Sequence, residues 1–164
     1  MLVIFSGLPG TGKTKIARAL AKEIGAVHLR IDTIEQALRD KGLTVVDEGY
    51  RIAYAVAEDN LRLGLTVIAD SVNPIQLTRE AWRAVAKRTC APFIDIEVTC
   101  SDKSEHRRRV EQRQADIAGH NLPTWIDVEA REYEPWDRDR VVIDTATATP
   151  GNAVASIRAA LGDT

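Results

Sequence analysis

The sequence is poor in cysteine and has no long apolar run. Its two cysteines, Cys90 and Cys100, do not have the spacing of a metal site. No apolar stretch approaches the roughly 20 residues that a membrane-spanning helix requires. No export signal precedes the first apolar segment, which starts at Met1. We therefore expect reduced thiols, a cytoplasmic protein and no membrane partner.

The sequence also has no excess of charge of one sign. It carries 22 basic and 24 acidic residues, for a formal net charge of −2. This balance argues against a nucleic-acid partner, because proteins that bind nucleic acid present concentrated positive charge. The 164 residues contain no internal repeat, low-complexity tract or linker. The length predicts a single domain over 1–164.

A glycine-rich segment follows the first apolar run and matches the pattern G-x-x-x-x-G-K-[ST]. A short β-prone stretch precedes it, and apolar residues at helical spacing follow it, which is the context of a phosphate-binding P-loop rather than of a plain glycine-rich turn. In a P-loop the backbone N–H groups surround the phosphates, the lysine reaches the β- and γ-phosphates and the hydroxyl binds Mg²⁺. The predicted nucleotide ligands are Gly7, Leu8, Pro9, Gly10, Thr11, Gly12, Lys13 and Thr14.

Apolar patterns alternate between strand-like and helix-like along the rest of the chain. This alternation predicts an α/β fold with a parallel sheet and helices on both faces. The predicted strands are 1–5, 26–31, 65–70, 92–98 and 141–143. The predicted helices are 15–24, 33–39, 50–63, 76–89, 103–113, 124–133 and 152–161.

Two of the predicted strands end in an acid. Asp32 follows the second strand, where it is equally compatible with a helix N-cap and with a carboxylate beside the γ-phosphate. A kinase needs such a carboxylate to orient the acceptor hydroxyl and accept its proton. Glu35 lies one helical turn further on and shares that face. Asp70 closes the third strand, where the P-loop favours a place near Mg²⁺ over a contact within the turn.

An arginine-rich helix precedes a turn-rich segment. Arg109 and Arg113 are four residues apart, so that on a helix both would point the same way and grip phosphoryl oxygens. For Arg107 and Arg108 we favour surface ion pairs with nearby glutamates. The segment 114–123 is a candidate lid that orders on binding, and His120 is a weak candidate within it.

These motifs, in this order, resemble those of small P-loop kinases in the adenylate-kinase-like superfamily. The similarity is to the branch of small "AAA-type" kinases, whose relatives include the kinase domain of phage polynucleotide kinase, chloramphenicol phosphotransferase and gluconate kinase. It implies a three-layer αβα P-loop nucleoside triphosphate hydrolase fold with five parallel strands in the order 2-3-1-4-5. It also implies Asp32 as general base with Lys13, Arg109 and Arg113 as catalytic partners, and the loop 145–152 near the adenine. Thr14 and Asp70 would hold Mg²⁺, the aspartate directly or through water.

The resemblance also implies where an acceptor would bind. The acceptor pocket would lie between 32–39, 47–54 and 73–79, with the substrate ligands Asp32, Glu35, Asp70, Asn73 and Arg79. Related polynucleotide kinases carry an arginine three residues after the catalytic aspartate, where this chain has Glu35. An acid there should repel a nucleic-acid phosphate. We therefore expect a neutral, cationic or zwitterionic small molecule as acceptor.

Together the motifs predict a Mg²⁺-requiring kinase that transfers the γ-phosphate of ATP to a hydroxyl of a small molecule. A polynucleotide 5′-hydroxyl kinase and a nucleotide-binding regulatory module without an acceptor are the alternatives. No Asn-Lys-x-Asp segment, typical of GTP specificity, is present. The identity of the acceptor and the oligomeric state stay open.

Overall fold

The strands of the computed structural model form one parallel sheet in the order β2-β3-β1-β4-β5. The structure describes residues 1–162, so the last two residues of the predicted domain, 163–164, lie outside it. The strands are β1 Leu2–Ser6, β2 Val27–Arg30, β3 Val67–Asp70, β4 Phe93–Thr99 and β5 Val141–Asp144. This order confirms the predicted 2-3-1-4-5 topology.

Helices cover both faces of the sheet. They are α1 Lys13–Ile24, α2 Ile31–Arg39, α3 Glu48–Arg62, α4 Gln76–Arg88, α5 Lys103–Gln112, α6 Trp125–Ala130 and α7 Pro150–Leu161. Within residues 1–162 none of them has the length and apolar character that a membrane crossing requires.

The central strand β1 explains why two cores form. Its successive side chains point to opposite faces, and all five residues are buried, as expected for a strand that is covered on both sides. Val3 and Phe5 pack with α1 and α7, whereas Leu2 and Ile4 pack with α2, α3 and α4. The result is the three-layer αβα arrangement that the resemblance implied.

Two element boundaries differ from the prediction in ways that affect the site. Helix α5 ends at Gln112, and Arg113 is its extended C-cap, with φ −69° and ψ 143°. The expectation that Arg109 and Arg113 share one helical face is therefore wrong. Helix α2 begins at Ile31, directly after β2, so Asp32 lies in its first turn rather than capping it.

Candidate active site

The P-loop connects β1 to α1 at the carboxyl edge of the sheet. Its backbone passes so close to β4 that a Cβ on Gly7, which has φ +138°, would lie 2.2 Å from the Val98 carbonyl oxygen. Only glycine fits this combination of positive φ and close approach. Within the loop, the Thr11 hydroxyl donates to the Leu8 carbonyl oxygen at 2.9 Å. The conformation of the loop is therefore fixed by a hydrogen bond within it and by its close contact with β4.

Two side chains from outside the P-loop contact its carbonyl groups. His106 of α5 has Nε2 2.8 Å from the Pro9 carbonyl oxygen, and its ring meets Trp125 edge-on at 5.2 Å between ring centroids. Thr145, just after β5, has Oγ1 2.8 Å from the Thr11 carbonyl oxygen. Sequence reasoning assigned no role to His106, because nothing in its local pattern indicated a contact with a residue 97 positions away.

Lys13, Thr14 and Asp70 meet at the floor of the site, where Lys13 is nearly buried. Burial lowers the pKa of the Lys13 ammonium below its ordinary value, although the charges of Asp70 and Asp32 act in the opposite direction. Burial would raise the pKa of the Asp70 carboxyl, but the hydrogen bond from His28, with Nε2 3.2 Å from Oδ2, and the charge of Lys13 outweigh it. The net pKa of Asp70 is therefore lowered, and its carboxylate is kept ionised.

The donor set at this floor fits a magnesium ion. The Thr14 hydroxyl lies close enough to the Asp70 carboxylate to help lower its pKa, and Asp70 is only 3% exposed. A hydroxyl and an ionised carboxylate are the hard oxygen ligands that Mg²⁺ prefers, with phosphate oxygens and water completing its shell. His28 holds the Asp70 carboxylate in place.

The Asp32 side chain and the P-loop line the same cleft. The volume of this cleft is about 1370 Å³. Its side chain is 38% exposed. Burial lowers the pKa of Lys13 and of Arg113, and the Asp32 charge opposes this lowering in both, so both cations lie within electrostatic range of Asp32. The structure thus brings the predicted general base and the predicted phosphate-binding lysine to one cleft.

The two arginines that were expected to act together are held differently. Arg109 donates from Nε to Glu105 at 2.7 Å, and from Nη1 and Nη2 to the side chain and carbonyl of Thr145 at 2.8 and 3.0 Å. No ion pair or hydrogen bond within residues 1–162 holds the Arg113 guanidinium, which lines the cleft. Burial lowers the pKa of Arg113. Arg113 is therefore a partly buried cation that faces the cleft without a fixed partner.

An ion-pair cluster that the sequence did not predict ties the candidate lid to the body of the protein. Asp116, within 114–123, accepts from Arg30 Nη1 at 2.8 Å and from Nη2 at 3.1 Å, and Arg18 Nη1 lies 2.8 Å from the same carboxylate. The hydrogen bond from Arg30 lowers the pKa of Asp116 to about 2. His120 of the same segment also lines the cleft.

Glu35 lies in the cleft as expected, but its charge is paired. Arg39, one turn further along α2, donates from Nη2 to Glu35 at 2.9 Å. The Glu35 side chain also packs against Gly49 at the start of α3. This pairing weakens the expectation that Glu35 repels an anionic acceptor.

Asn73 and Arg79 do not reach the cleft, contrary to the expectation that they would bind an acceptor. Both side chains are fully buried. Asn73 donates to the Phe5 carbonyl oxygen at 2.8 Å. Arg79 donates to four backbone carbonyl groups and has Cζ 4.2 Å from the ring centroid of Trp136. The structure therefore places Arg79 in the packing of α4 against the segment 133–136, and Asn73 against the end of β1.

Comparison with known proteins identifies similar sequences and folds. A family model described as an AAA domain matches residues 2–128. An adenylyl-sulfate kinase of Synechococcus sp. (strain JA-3-3Ab) is 26% identical over 152 residues, which are 88% of this chain and 84% of that protein.

Two solved structures share the fold. Kti12 of Chaetomium thermophilum in complex with ADP-AlF3 gives a TM-score of 0.72 at 21% identity, covering 99% of this chain and 100% of that chain. The APS kinase CysC of Mycobacterium tuberculosis, in complex with AMPPNP and APS, gives a TM-score of 0.69 at 14% identity, covering 99% and 97%. At these identities the likeness concerns the fold alone.

Proposed function

Because this chain belongs to the AAA-domain family of P-loop proteins, we propose that it is an ATP-dependent kinase that phosphorylates a hydroxyl group of a small molecule. The observation that carries the proposal is the shared cleft of Lys13 and Asp32. A P-loop by itself indicates only that the protein binds a nucleotide. A partly exposed carboxylate beside the phosphate-binding lysine supplies what an acceptor hydroxyl needs for phosphoryl transfer.

The donor half of the reaction is the binding of ATP. The P-loop N–H groups and Lys13 neutralise the β- and γ-phosphate oxygens, and the cations Arg109 and Arg113 lie at the same cleft to neutralise charge in the transition state. Thr14 and Asp70 would hold Mg²⁺, which when bound adds positive charge across the β- and γ-phosphates. The adenylyl-sulfate kinase relative supports ATP use in this family.

The acceptor half centres on Asp32. Its carboxylate accepts a hydrogen bond from the acceptor hydroxyl and orients the oxygen toward the γ-phosphorus. The oxygen–phosphorus bond forms while the bond from the γ-phosphorus to the β–γ bridging oxygen breaks. The hydroxyl proton passes to Asp32, and the products are ADP and a phosphate monoester.

The test is ADP formation over a panel of sugars, nucleosides, aminoglycosides and amino alcohols, measured with and without each acceptor. Asp32→Asn should reduce transfer by about 10²-fold or more, because the amide cannot accept the proton, while AMPPNP affinity changes little. Asp59→Asn on the exposed face of α3 is the matched control and should leave both quantities unchanged.

Different outcomes separate the alternatives. If Asp32→Asn retains full transfer, Asp32 is not the general base. Phosphorylation of a 5′-hydroxyl oligonucleotide, with no small molecule accepted, would favour the polynucleotide kinase. Nucleotide binding with no acceptor of either kind, hydroxycarboxylic acids and phosphate monoesters included, would favour the regulatory module.

A further inference from the structure

The Arg30 side chain lies between Asp32 and the candidate lid, 114–123. It is the last residue of β2 and the N-cap of α2. Its side chain is 6% exposed, with Nη2 3.5 Å from Asp32 and both terminal nitrogens on Asp116. Arg30 Nε is buried and has no hydrogen-bond partner in the described chain. A buried guanidinium in this setting requires an anion opposite it.

The anion opposite Arg30 in this structure is the carboxylate of Asp116. The two parallel hydrogen bonds have the fork geometry that arginine uses for carboxylates, sulfates and phosphates. Asp116 is 44% exposed and belongs to a segment without helix or strand, whereas Arg30 is fixed by the sheet edge. The arginine is therefore the fixed partner and the carboxylate the one that can be exchanged.

The charge of the cleft supports an exchange with a ligand anion. Nine lysine and arginine side chains line it, against four aspartates and glutamates. One of those acids, Glu35, is already paired with Arg39. The Arg113 guanidinium has no ion pair or hydrogen bond within residues 1–162 and lies within electrostatic range of Arg30 and Asp32. A triphosphate bound on the P-loop side would leave positive charge on the side of Arg30.

We propose that Arg30 and Arg18 form an anion subsite for a carboxylate, sulfate or phosphate group of the acceptor, and that Asp116 occupies this subsite until the acceptor displaces it. The inference rests on the proposed function, and it narrows the neutral, cationic or zwitterionic acceptor expected from Glu35 to one that carries an anionic group. Because Arg30 is adjacent to Asp32, the acceptor carries its anionic group within a few bonds of the reacting hydroxyl.

Inorganic sulfate is the probe that tests the subsite without requiring turnover. Saturating AMPPNP with Mg²⁺ first fills the P-loop, so that sulfate reports on the remaining cleft. Sulfate affinity is then measured by calorimetry and by NMR chemical shifts in the full chain.

Substitutions of the two arginines and of the exchangeable carboxylate should change the sulfate affinity in opposite directions. Asp116→Asn should tighten sulfate binding about three- to tenfold, because it removes the competing anion. Arg18→Gln should weaken binding about threefold, and Arg30→Gln about tenfold or more, because each removes a charged donor. Glu23→Gln is the matched control: it neutralises a surface acid that is paired with Arg158 far along α1, and should change nothing.

The decisive outcomes do not require that the Arg30→Gln variant, whose substitution is buried, folds correctly. Arg18 is 51% exposed and Asp116 lies on the surface, so both of their variants should fold even if Arg30→Gln does not. Equal sulfate affinity in the wild type, Asp116→Asn and Arg18→Gln would overturn the subsite. Failure of AMPPNP to bind would instead count against the proposed kinase.

Turnover then identifies the source of the anion. Each neutral alcohol is assayed beside a hydroxycarboxylic acid and a phosphate monoester of the same carbon skeleton. A lower KM for either anionic member supports the subsite, and the member preferred identifies its ligand. A lower KM for the neutral alcohols contradicts it.

Discussion

At the scale of single residues, Thr145 connects three parts of the site. Its hydroxyl lies 2.8 Å from the Thr11 carbonyl oxygen and 2.9 Å from that of Thr99, and it accepts from Arg109 at 2.8 Å. The P-loop, the end of β4 and the arginine-rich helix therefore share one hydroxyl group. No local pattern predicted this, because Thr145 is 134 residues from Thr11 in sequence.

We predict that Thr145→Val weakens nucleotide binding although it conserves the shape of the side chain. The Arg109 Nη1 donor and the Thr11 carbonyl group lose their partner, which should cost about 1–2 kcal/mol of stability. AMPPNP binding should weaken about three- to tenfold, measured by calorimetry. Thr147→Val is the control, because Thr147 lies in the same turn and its hydroxyl donates to the Asp144 carbonyl oxygen. An unchanged AMPPNP affinity in Thr145→Val would show that the P-loop does not depend on this hydroxyl.

At the scale of helices and strands, the sequence predicted the sheet well and the arginine contacts poorly. The positions of the strands depend on which apolar segments can be buried on both faces, and these segments are visible in short windows. The strand order came from the resemblance to P-loop kinases. The pairs Arg30–Asp116 and Arg79–Glu134 join residues 86 and 55 positions apart, which short windows cannot relate. The same limitation placed Arg113 on a helix that ends one residue earlier.

Helix α5 also supports the P-loop, and this contact can be tested. A Cβ on Gly10 would lie 2.4 Å from Val110 Cγ2, so the loop packs tightly on the helix. His106→Phe keeps the edge-on contact with Trp125 but loses the hydrogen bond to Pro9. We expect a loss of about 1–3 kcal/mol in unfolding free energy and weaker AMPPNP binding.

The control for His106→Phe is a variant that destabilises the neighbouring helix without touching the P-loop. Thr124→Ala removes the cap of α6 and should cost about 0.5–2 kcal/mol with AMPPNP affinity unchanged. If both variants weaken AMPPNP binding in proportion to their loss of stability, the hydrogen bond to Pro9 has no specific role.

At the scale of the whole molecule, two populations of arginine differ in their surroundings. Those at the carboxyl edge of the sheet, such as Arg30 and Arg113, face a cleft and lie within range of exchangeable anions. Arg79 and Arg83 of α4 are fully buried and stabilise the packing of that helix against its neighbours. Arg83 donates to Asp95 at 2.9 Å, and Arg79 donates to the carbonyl groups of residues 134 and 135. Residue type alone does not distinguish the two populations.

The Arg79→Met variant tests whether Arg79 stabilises the packing or binds the acceptor. The variant retains much of the side-chain volume but removes the Arg79 donor from four backbone carbonyl groups, including the buried one of Asn73. We expect urea unfolding to show a loss of about 3–5 kcal/mol, with AMPPNP affinity and acceptor KM unchanged in the folded protein. Arg88→Met, on the same helix but half-exposed and paired with Glu58, should cost less than about 1 kcal/mol. An increased acceptor KM without loss of stability would instead restore Arg79 to the acceptor pocket, as the sequence suggested.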